Sequence, residues 1–426
     1  MAADTDSQGR PIVVVTGIGV ITSLGQGVAD NWGALAAGRS GLKRITRFPL
    51  DGLRTTVAGS IDFVPLEEFS TPALSEAIAA GAIEEAVAMA AVGSKGAFPG
   101  PLFLALPPVE LEWPQRRALA AASGAEGAIG YPDLLRAAAG GGFVATYERF
   151  LFASVGETLA ERFGTRGVPI EVSTACASGA TAIQLGIEAI RRGETDVALA
   201  AGTDSSVNVE ALIRFSLLSA LSTRNDPPAA AARPFSKDRD GFVMAEGAGA
   251  LVLESLAHAR ARGATILGVL EGCGEHADSF HRTRSSPDGK PIIACMNRAI
   301  ADAGLAPGQI GYVNAHGTGT PENDKMEWQC LAAVFGAAAG ALPVSSNKSM
   351  IGHTLSAAGA IEAVFTLLSL RNGLLPPTIN YDIPDPALPI DCVPNVARPA
   401  DVAHALSNSF GFGGQNVSLV LGREPA

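Results

Sequence analysis

The chain predicts an α/β fold, and three features of its sequence predict it. Strand-like apolar runs alternate with helix-like runs from end to end, the pattern of strand–helix units and of a largely parallel sheet. Hydrophobic residues fill 47% of the 426 positions and charged residues only 17%, which supplies a large interior and leaves little solvated skin. A faint internal echo sets Ser178-Gly179-Ala180-Thr181-Ala182-Ile183 against Ser356-Ala357-Ala358-Gly359-Ala360-Ile361, each after a strand and a loop, and suggests duplication.

Taken in order, Ile12–Thr16 reads as the first strand, closed by Gly17-Ile18-Gly19. That pair of glycines is expected to be a tight turn, because Thr22 replaces the third glycine of a dinucleotide fingerprint. Val28–Ala37 and Ser75–Val92 read as helices. Ile170–Cys176 reads as a buried strand running into a helix that opens at Ala177, with apolar positions at Ile183, Ile187 and Ile190. Asp196–Ala201, Ala250–Glu254 and Thr265–Gly272 are strands. Gly272-Cys273-Gly274-Glu275-His276-Ala277 again imitates a dinucleotide motif, but no clear helix follows before Pro287, so a second tight turn is expected. Lys290–Ala303 is a helix closed by Gly304, Ile310–Val313 a strand, Pro321–Phe335 a helix and Leu342–Ser345 a short strand. A last helix carries Ile361, Val364, Phe365 and Leu368 on one buried face. The echo aligns Cys176 with Thr354, beside His353, and places the junction of the halves, 1–262 and 263–426, near Arg262-Gly263.

Bulk properties narrow the function. The length suits two domains or two fused halves, and the low charge suggests that a second subunit covers part of the surface. A net charge of −11 argues against a nucleic-acid partner, and an acidic protein partner would need a local basic patch. No apolar run approaches the ~20 residues of a membrane span, and Met1-Ala2-Ala3-Asp4 does not resemble a signal peptide, so a cytoplasmic protein is expected. Cysteines at 176, 273, 295, 330 and 392 form no CxxC, which fits a reducing compartment and offers neither a disulfide framework nor a metal site.

Three residues stand out chemically. Cys176 sits at a strand–helix junction among Ala175, Ala177, Ser178 and Gly179, where the helix dipole favours a thiolate nucleophile and small neighbours admit a ligand. His316 lies in Asn314-Ala315-His316-Gly317-Thr318-Gly319-Thr320-Pro321, with Asp324 and Glu327 following. His353 lies in Ser345-Ser346-Asn347-Lys348-Ser349-Met350-Ile351-Gly352-His353. Both histidines occupy small-residue loops entering helices, whereas His258, His276, His281 and His404 show no such context and read as structural.

The motifs Thr174–Gly179, Ser222-Thr223-Arg224-Asn225-Asp226, Arg233-Pro234-Phe235, Lys237–Phe242, Asn314–Pro321, Asn347-Lys348 with Gly352-His353, and Asn408–Gly414 together resemble the elongating 3-oxoacyl-[acyl-carrier-protein] synthases. The resemblance covers 11–60 and 165–422. It implies a thiolase-like duplicated fold, two pseudo-dyad-related halves with central mixed sheets in an αβαβα layering, working as a homodimer or with a paralogue. It implies that Cys176 takes an acyl group from an acyl-carrier protein, with Cys176 N–H and Phe412 N–H as oxyanion hole. His316 and His353 would stabilise the enolate formed as malonyl-carrier protein loses CO2, and Lys348 would supply positive charge and hold His353. Asp324 and Glu327 would order the loop; Thr318 and Thr320 would contact the phosphopantetheine arm or malonyl group. Phe412, within Phe410, Gly411 and Gly413, would gate the acyl pocket. No metal or resident cofactor is implied; phosphopantetheine arrives on the carrier.

The two histidines argue against a starter-unit synthase, where asparagine replaces one of them, and the absence of a cysteine in Gly411–Gly414 argues against a thiolase. A polyketide-type condensing enzyme and an idle chain-length partner remain alternatives, the latter disfavoured because Cys176 is present. Residues 65–150 depart from the pattern: the basic residues expected near Thr71–Ala80 and Ser219-Ala220 are missing, so either the carrier is unusual or Arg116, Arg117, Arg136, Arg149 and Arg214 substitute in docking it. Leu102–Gly124 replaces a glycine-rich pocket lining, which reads equally as an altered preference for a specialised or very long acyl chain or as simple drift in a peripheral region.

Overall fold

A computed structural model describes residues 4–66, 69–94, 96–124 and 127–425; Met1-Ala2-Ala3 and five positions of the divergent 65–150 span lie outside them. The first half supplies β1 (Val13–Thr22), α1 (Val28–Ala36), α2 (Thr71–Ala90), β2 (Leu102–Ala105), α3 (Trp113–Ala122), α4 (Tyr131–Ala139), α5 (Val144–Arg149), α6 (Ser154–Phe163), β3 (Ile170–Val172), α7 (Ser178–Arg191), β4 (Val197–Asp204), α8 (Val209–Leu217) and β5 (Gly247–Ser255). The second supplies β6 (Gly268–Ala277), α9 (Lys290–Asp302), β7 (Tyr312–Asn314), α10 (Pro321–Phe335), β8 (Val344–Ser345), α11 (Ala358–Asn372), β9 (His404–Phe410) and β10 (Gln415–Gly422).

The strand order is β3-β2-β4-β5-β1 followed by β6-β10-β9-β7-β8, so each half repeats the same path in reverse. The halves join edge to edge where Val13–Val15 of β1 pair with Gly268–Leu270 of β6. Only the pairs around β2 and β7 are parallel; β1, β5, β4, β6, β10 and β9 pair antiparallel. The sheet is therefore mixed rather than largely parallel, because β9 returns directly into β10 through Gly411–Gly414.

Helices α7 and α11 form the central layer. Every residue of α11 from Ala358 to Leu370 is buried, and its core joins Ile183 and Ile187 of α7 to strands of both halves. Outer cores lie under α2 and under α9 with α10. Gly179 and Gly359 let the central helices touch: a Cβ on either would lie 2.5 Å from a backbone nitrogen of the other helix.

Neither predicted glycine turn exists. Gly17 and Gly19 lie inside β1, where a Cβ would meet Ala86 O at 2.0 Å and Ala82 O at 1.9 Å in α2. Gly272 and Gly274 lie inside β6, where a Cβ would meet Ala299 O and Cys295 O of α9, each at 2.3 Å. The two motifs are thus one packing device used once in each half, a bare strand face on which an outer helix sits close.

The expected strand Ile170–Cys176 ends at Val172 and runs along the edge of the sheet, with Ile170 exposed. Ala175, at φ 51°, breaks it and starts a one-turn 3₁₀ segment, Ala175–Ala177. Leu355, at φ 45°, starts the matching turn Leu355–Ala357 before α11. Cys176 therefore corresponds to Ser356, not Thr354; the duplication is present, two residues out of the expected register.

Candidate active site

The turn that presents Cys176 is held by one hydroxyl. Ser178 Oγ accepts the Thr174 N–H at 2.8 Å and donates to Ala175 O at 2.6 Å. Left-handed backbone at a non-glycine residue costs of order 1–3 kcal/mol and persists only where its surroundings enforce it. Among the described residues no protein acceptor takes the Cys176 N–H. The Phe412 N–H faces the sulfur.

His316 follows β7. Its loop is cinched by carboxylates from the first turns of α10: Glu327 accepts the His316 and Gly317 N–H groups at 2.9 and 2.7 Å, and Asp324 accepts those of Phe235 and Gly319 at 2.7 and 3.1 Å. Burial pushes both acids up, Glu327 to about 7. His353 is pinned by its backbone, donating to Val243 O at 2.7 Å and accepting from Ala245 N at 2.9 Å.

These elements converge. His353 Nε2 lies 3.1 Å from Cys176 Sγ, and the His316 and His353 rings meet edge to face with centroids 5.3 Å apart. Phe410 lies against His316, its ring centroid 5.8 Å away. Burial, with Lys348 second, lowers both imidazoles well below their ordinary value, so both are neutral. Their tautomers are assigned by what each Nδ1 receives. Leu355 N–H donates to His353 Nδ1 at 3.3 Å, and Lys348 Nζ lies 3.5 Å from His316 Nδ1. Each ring therefore carries its proton on Nε2 and donates into the site. Lys348 serves His316, not His353 as expected, because Leu355 already occupies His353 Nδ1.

Cys176, His316 and His353 offer ligating atoms within 4.8 Å of one another, close enough for a soft cation. Both imidazoles, however, present N–H where a metal needs a lone pair. The donor set suits an oxyanion instead.

The helix end that favours a thiolate at Cys176 is outweighed: burial pushes the thiol up to about 11, opposed by the Phe412 N–H and the Lys348 ammonium, which favours the thiol.

Two cavities meet at Cys176, and Phe412, Phe215 and Leu355 line both. One, about 80 Å³, runs past His316, Thr318, Thr320, Phe410, Gly411 and Gly413 to His281, Thr283 and Arg284. The other, about 380 Å³, is bounded by Pro107–Glu112, Arg116, Ala211, Arg214 and Leu218. The larger volume thus lies on the side of the divergent segment. His281, read as structural, lines the first cavity; His258 and His404 pair with Glu254 and Glu271.

Glu362 was not anticipated. It sits in the middle of α11, 1% exposed, and pairs with Lys348, also 1% exposed. The available signal was a lone carboxylate in an otherwise apolar helix.

Family models match this chain as "Beta-ketoacyl synthase, N-terminal domain" over residues 10–90 and 123–259 and "Beta-ketoacyl synthase, C-terminal domain" over 267–382. The chain belongs to the beta-ketoacyl synthase family. Its members here are acyltransferases that form carbon–carbon bonds. It is 37% identical to a 3-oxoacyl-[acyl-carrier-protein] synthase 2 of Coxiella burnetii, covering 96% of this chain and 98% of that protein. It is also 37% identical to a putative polyketide beta-ketoacyl synthase 1 of Streptomyces cyaneus, covering 96% and 97%. A beta-ketoacyl synthase structure from Burkholderia phymatum superposes with a TM-score of 0.83 at 32% identity, covering 97% of this chain and all of that one. A type II PKS acyl-carrier protein in complex with its ketosynthase bound to the hexaketide gives 0.85 at 32%, covering 97% and 100%. The family match breaks off between residues 90 and 123, the stretch containing the Pro107–Glu112 wall of the larger cavity.

The substitute arginines are already committed. Arg116 and Arg214 both pair with Glu110, Arg136 with Asp133 and Arg149 with Glu76, while Arg117 lies over Trp113.

Proposed function

We propose that this chain is a 3-oxoacyl-[acyl-carrier-protein] synthase that joins an acyl group to a two-carbon unit from malonyl-carrier protein. The observation that carries the reading is the Cys176–His353 contact at 3.1 Å, with both imidazole Nε2–H groups turned inwards. Cys176 sulfur attacks the acyl thioester, its proton passing to the departing carrier thiol, and the oxyanion is held by the Cys176 and Phe412 N–H groups. Malonyl thioester then enters the smaller cavity, and its thioester oxygen accepts from His316 and His353. The C–C bond to the carboxylate breaks, CO2 leaves, and the electron pair becomes an enolate held by those two donors. The enolate carbon attacks the acyl-cysteine carbonyl and expels Cys176 sulfur as a thiolate, which recovers its proton from solvent. Phe412, between the cavities, gates the acyl side.

In this reading residues 1–262 bring the nucleophile and 263–426 the decarboxylation groups. Phosphopantetheine comes with the carrier, and no resident cofactor or metal takes part. Among the described residues no helix is long and apolar enough to cross a membrane, and five free cysteines fit a reducing cytoplasm. A second copy, or a paralogue, is the proposed cover for the β3 edge and for Tyr131, Val144 and Tyr147, all exposed.

The test is intact-mass detection of acyl-Cys176 with short, medium and very long acyl-carrier donors, followed by CO2 release from malonyl-carrier protein. No acyl adduct on wild type, or equal loading of Cys176→Ala, removes the proposal. A polyketide substrate is the second reading, favoured by the break in the family match at the acyl-side wall; loading of polyketide-like 3-oxoacyl donors in preference to saturated ones would select it.

A further inference from the structure

Asp278 closes the loop after β6 upon itself, its carboxylate accepting Phe280 N–H at 2.9 Å and Ser286 N–H at 2.7 Å. The loop is fastened to the Phe412 segment, Gly413 N–H donating to Arg282 O at 2.8 Å and Asp278 N–H to Gly414 O at 2.7 Å. His281, Thr283, Arg284 and Ser285 line the cavity that contains Cys176. Arg282 and Arg284 are exposed, and neither guanidinium has a carboxylate partner among the described residues. Lys325, also exposed, stands on α10 one turn after Glu322, the one carboxylate among the described residues that lines that cavity.

This contrasts with Arg116, Arg136, Arg149 and Arg214, each neutralised by an acid. In a chain of net charge −11, Arg284 on the cavity lining, with Arg282 two residues before it on the same fastened loop, offers unneutralised guanidinium groups to an anion. A guanidinium group presents paired N–H donors that match phosphate oxygens.

Resting on the condensing-enzyme reading, we infer that Arg282 and Arg284 receive the phosphodiester of the carrier's pantetheine arm, so that charged recognition of the carrier is concentrated on the 278–286 loop. The carboxylates of the carrier's protein surface are a different ligand, and the test separates them.

Three acyl donors are compared on the intact protein: acyl-carrier protein, the acyl thioester of phosphopantetheine, and the acyl thioester of pantetheine, which lacks phosphate. The rate of Cys176 acylation is read by mass. Arg282→Ala with Arg284→Ala is expected to lower kcat/KM for the two phosphate-bearing donors roughly 10- to 50-fold at low salt, with the penalty shrinking as salt rises. The phosphate-free donor is expected to change at most about twofold, and the lysine versions to recover part of the loss. Arg192→Ala, already paired with Glu194 at the far end of α7, is the control expected to alter none of the three.

An equal fall with the phosphate-free donor, or no fall with either phosphate-bearing donor, overturns the inference. So does a fall confined to the carrier-bound donor, which would assign the arginines to the carrier's protein surface. Wild type that accepts acyl groups from none of the three overturns the function itself; wild type that loads normally beside unaffected variants overturns only this inference.

Discussion

Replacing Glu362 by glutamine isolates the step that His316 serves. Lys348 and Glu362 are each 1% exposed, and the ammonium nitrogen lies 3.5 Å from His316 Nδ1. Burial pushes Glu362 up to about 7 with Lys348 opposing it, so the pair holds its charge only through mutual contact. Removing one partner of a buried pair costs about 3–5 kcal/mol. The stranded ammonium relieves that cost by shedding its proton. A neutral amine no longer obliges Nδ1 to accept; the ring proton moves to Nδ1 to face the amine lone pair, and the Nε2–H proposed to face the malonyl oxygen is lost. Loss of one oxyanion donor lowers kcat by about 10²–10³. His353 keeps its Leu355 contact, and the Cys176 and Phe412 amides are untouched. Glu362→Gln should therefore cut CO2 release about 100-fold or more while acyl loading of Cys176, followed by mass, stays within a few-fold. A companion, Lys348→Met with Glu362→Leu, should regain most of the stability in urea, since apolar replacement of a buried pair is often neutral, yet leave CO2 release low. Equal losses in both half-reactions, or recovery of CO2 release in the double variant, would refute the tautomer argument.

With its thiol pushed up to about 11, Cys176 should alkylate with iodoacetamide about tenfold faster per pH unit between pH 7 and 9; a plateau below pH 8 in the mass-spectrometric rates would show a thiolate already formed. Gly179→Ala and Gly359→Ala each place a Cβ 2.5 Å from backbone of the facing helix, so each should cost about 1–3 kcal/mol in urea unfolding, and losses below about 0.5 would contradict the close crossing. Both oxygens of Glu171 are buried and make no well-formed hydrogen bond among the described residues, and burial, weakly opposed by the Gly156 N–H, pushes the group from 4.5 up to about 7. Its folded value exceeds the unfolded one, so its stability contribution is greatest below about 4.5 and is lost as pH rises through about 7. Glu171→Gln should accordingly stabilise the protein at pH 8 by about 1–2 kcal/mol, discounted for partial exposure, and by little at pH 4.5; an equal gain at both pH values would place the effect elsewhere.

What the sequence disclosed depended on how local each signal was. Pro321 at a helix start and Gly336 after its end bound α10 within the sequence itself, and the predicted Pro321–Phe335 coincides with the helix. His316 and His353 were legible because small residues around a lone imidazole have no packing purpose. The strand through Cys176 was misread because Val172, Ser173 and Thr174 carry β-branched or extended character up to the residue where Ala175 turns left-handed, a bend imposed by Ser178. Glu362 was missed because its partner Lys348 lies on a separate turn, and only folding brings the two charges together. The glycine pairs in β1 and β6 imitated nucleotide motifs because a strand approached closely by a helix needs the same bare backbone as a phosphate turn.

Duplication explains why residues 177 positions apart come within hydrogen-bond reach. Each half builds the same left-handed turn before its central helix, and the pseudo-dyad sets the turns face to face across Gly179 and Gly359. The halves then diverge at a single amide. Ser356 N–H is taken by the Asp204 carboxylate at 3.1 Å, whereas the equivalent Cys176 N–H has no protein acceptor among the described residues. One turn has its anion built in and is structural. The other leaves the same donor vacant beside a sulfur and the Phe412 N–H, and a vacant, preorganised donor next to a nucleophile is what a transient oxyanion requires. Asymmetry at that amide, together with the difference between cysteine and serine, puts the vacant donor in the same half as the proposed nucleophile.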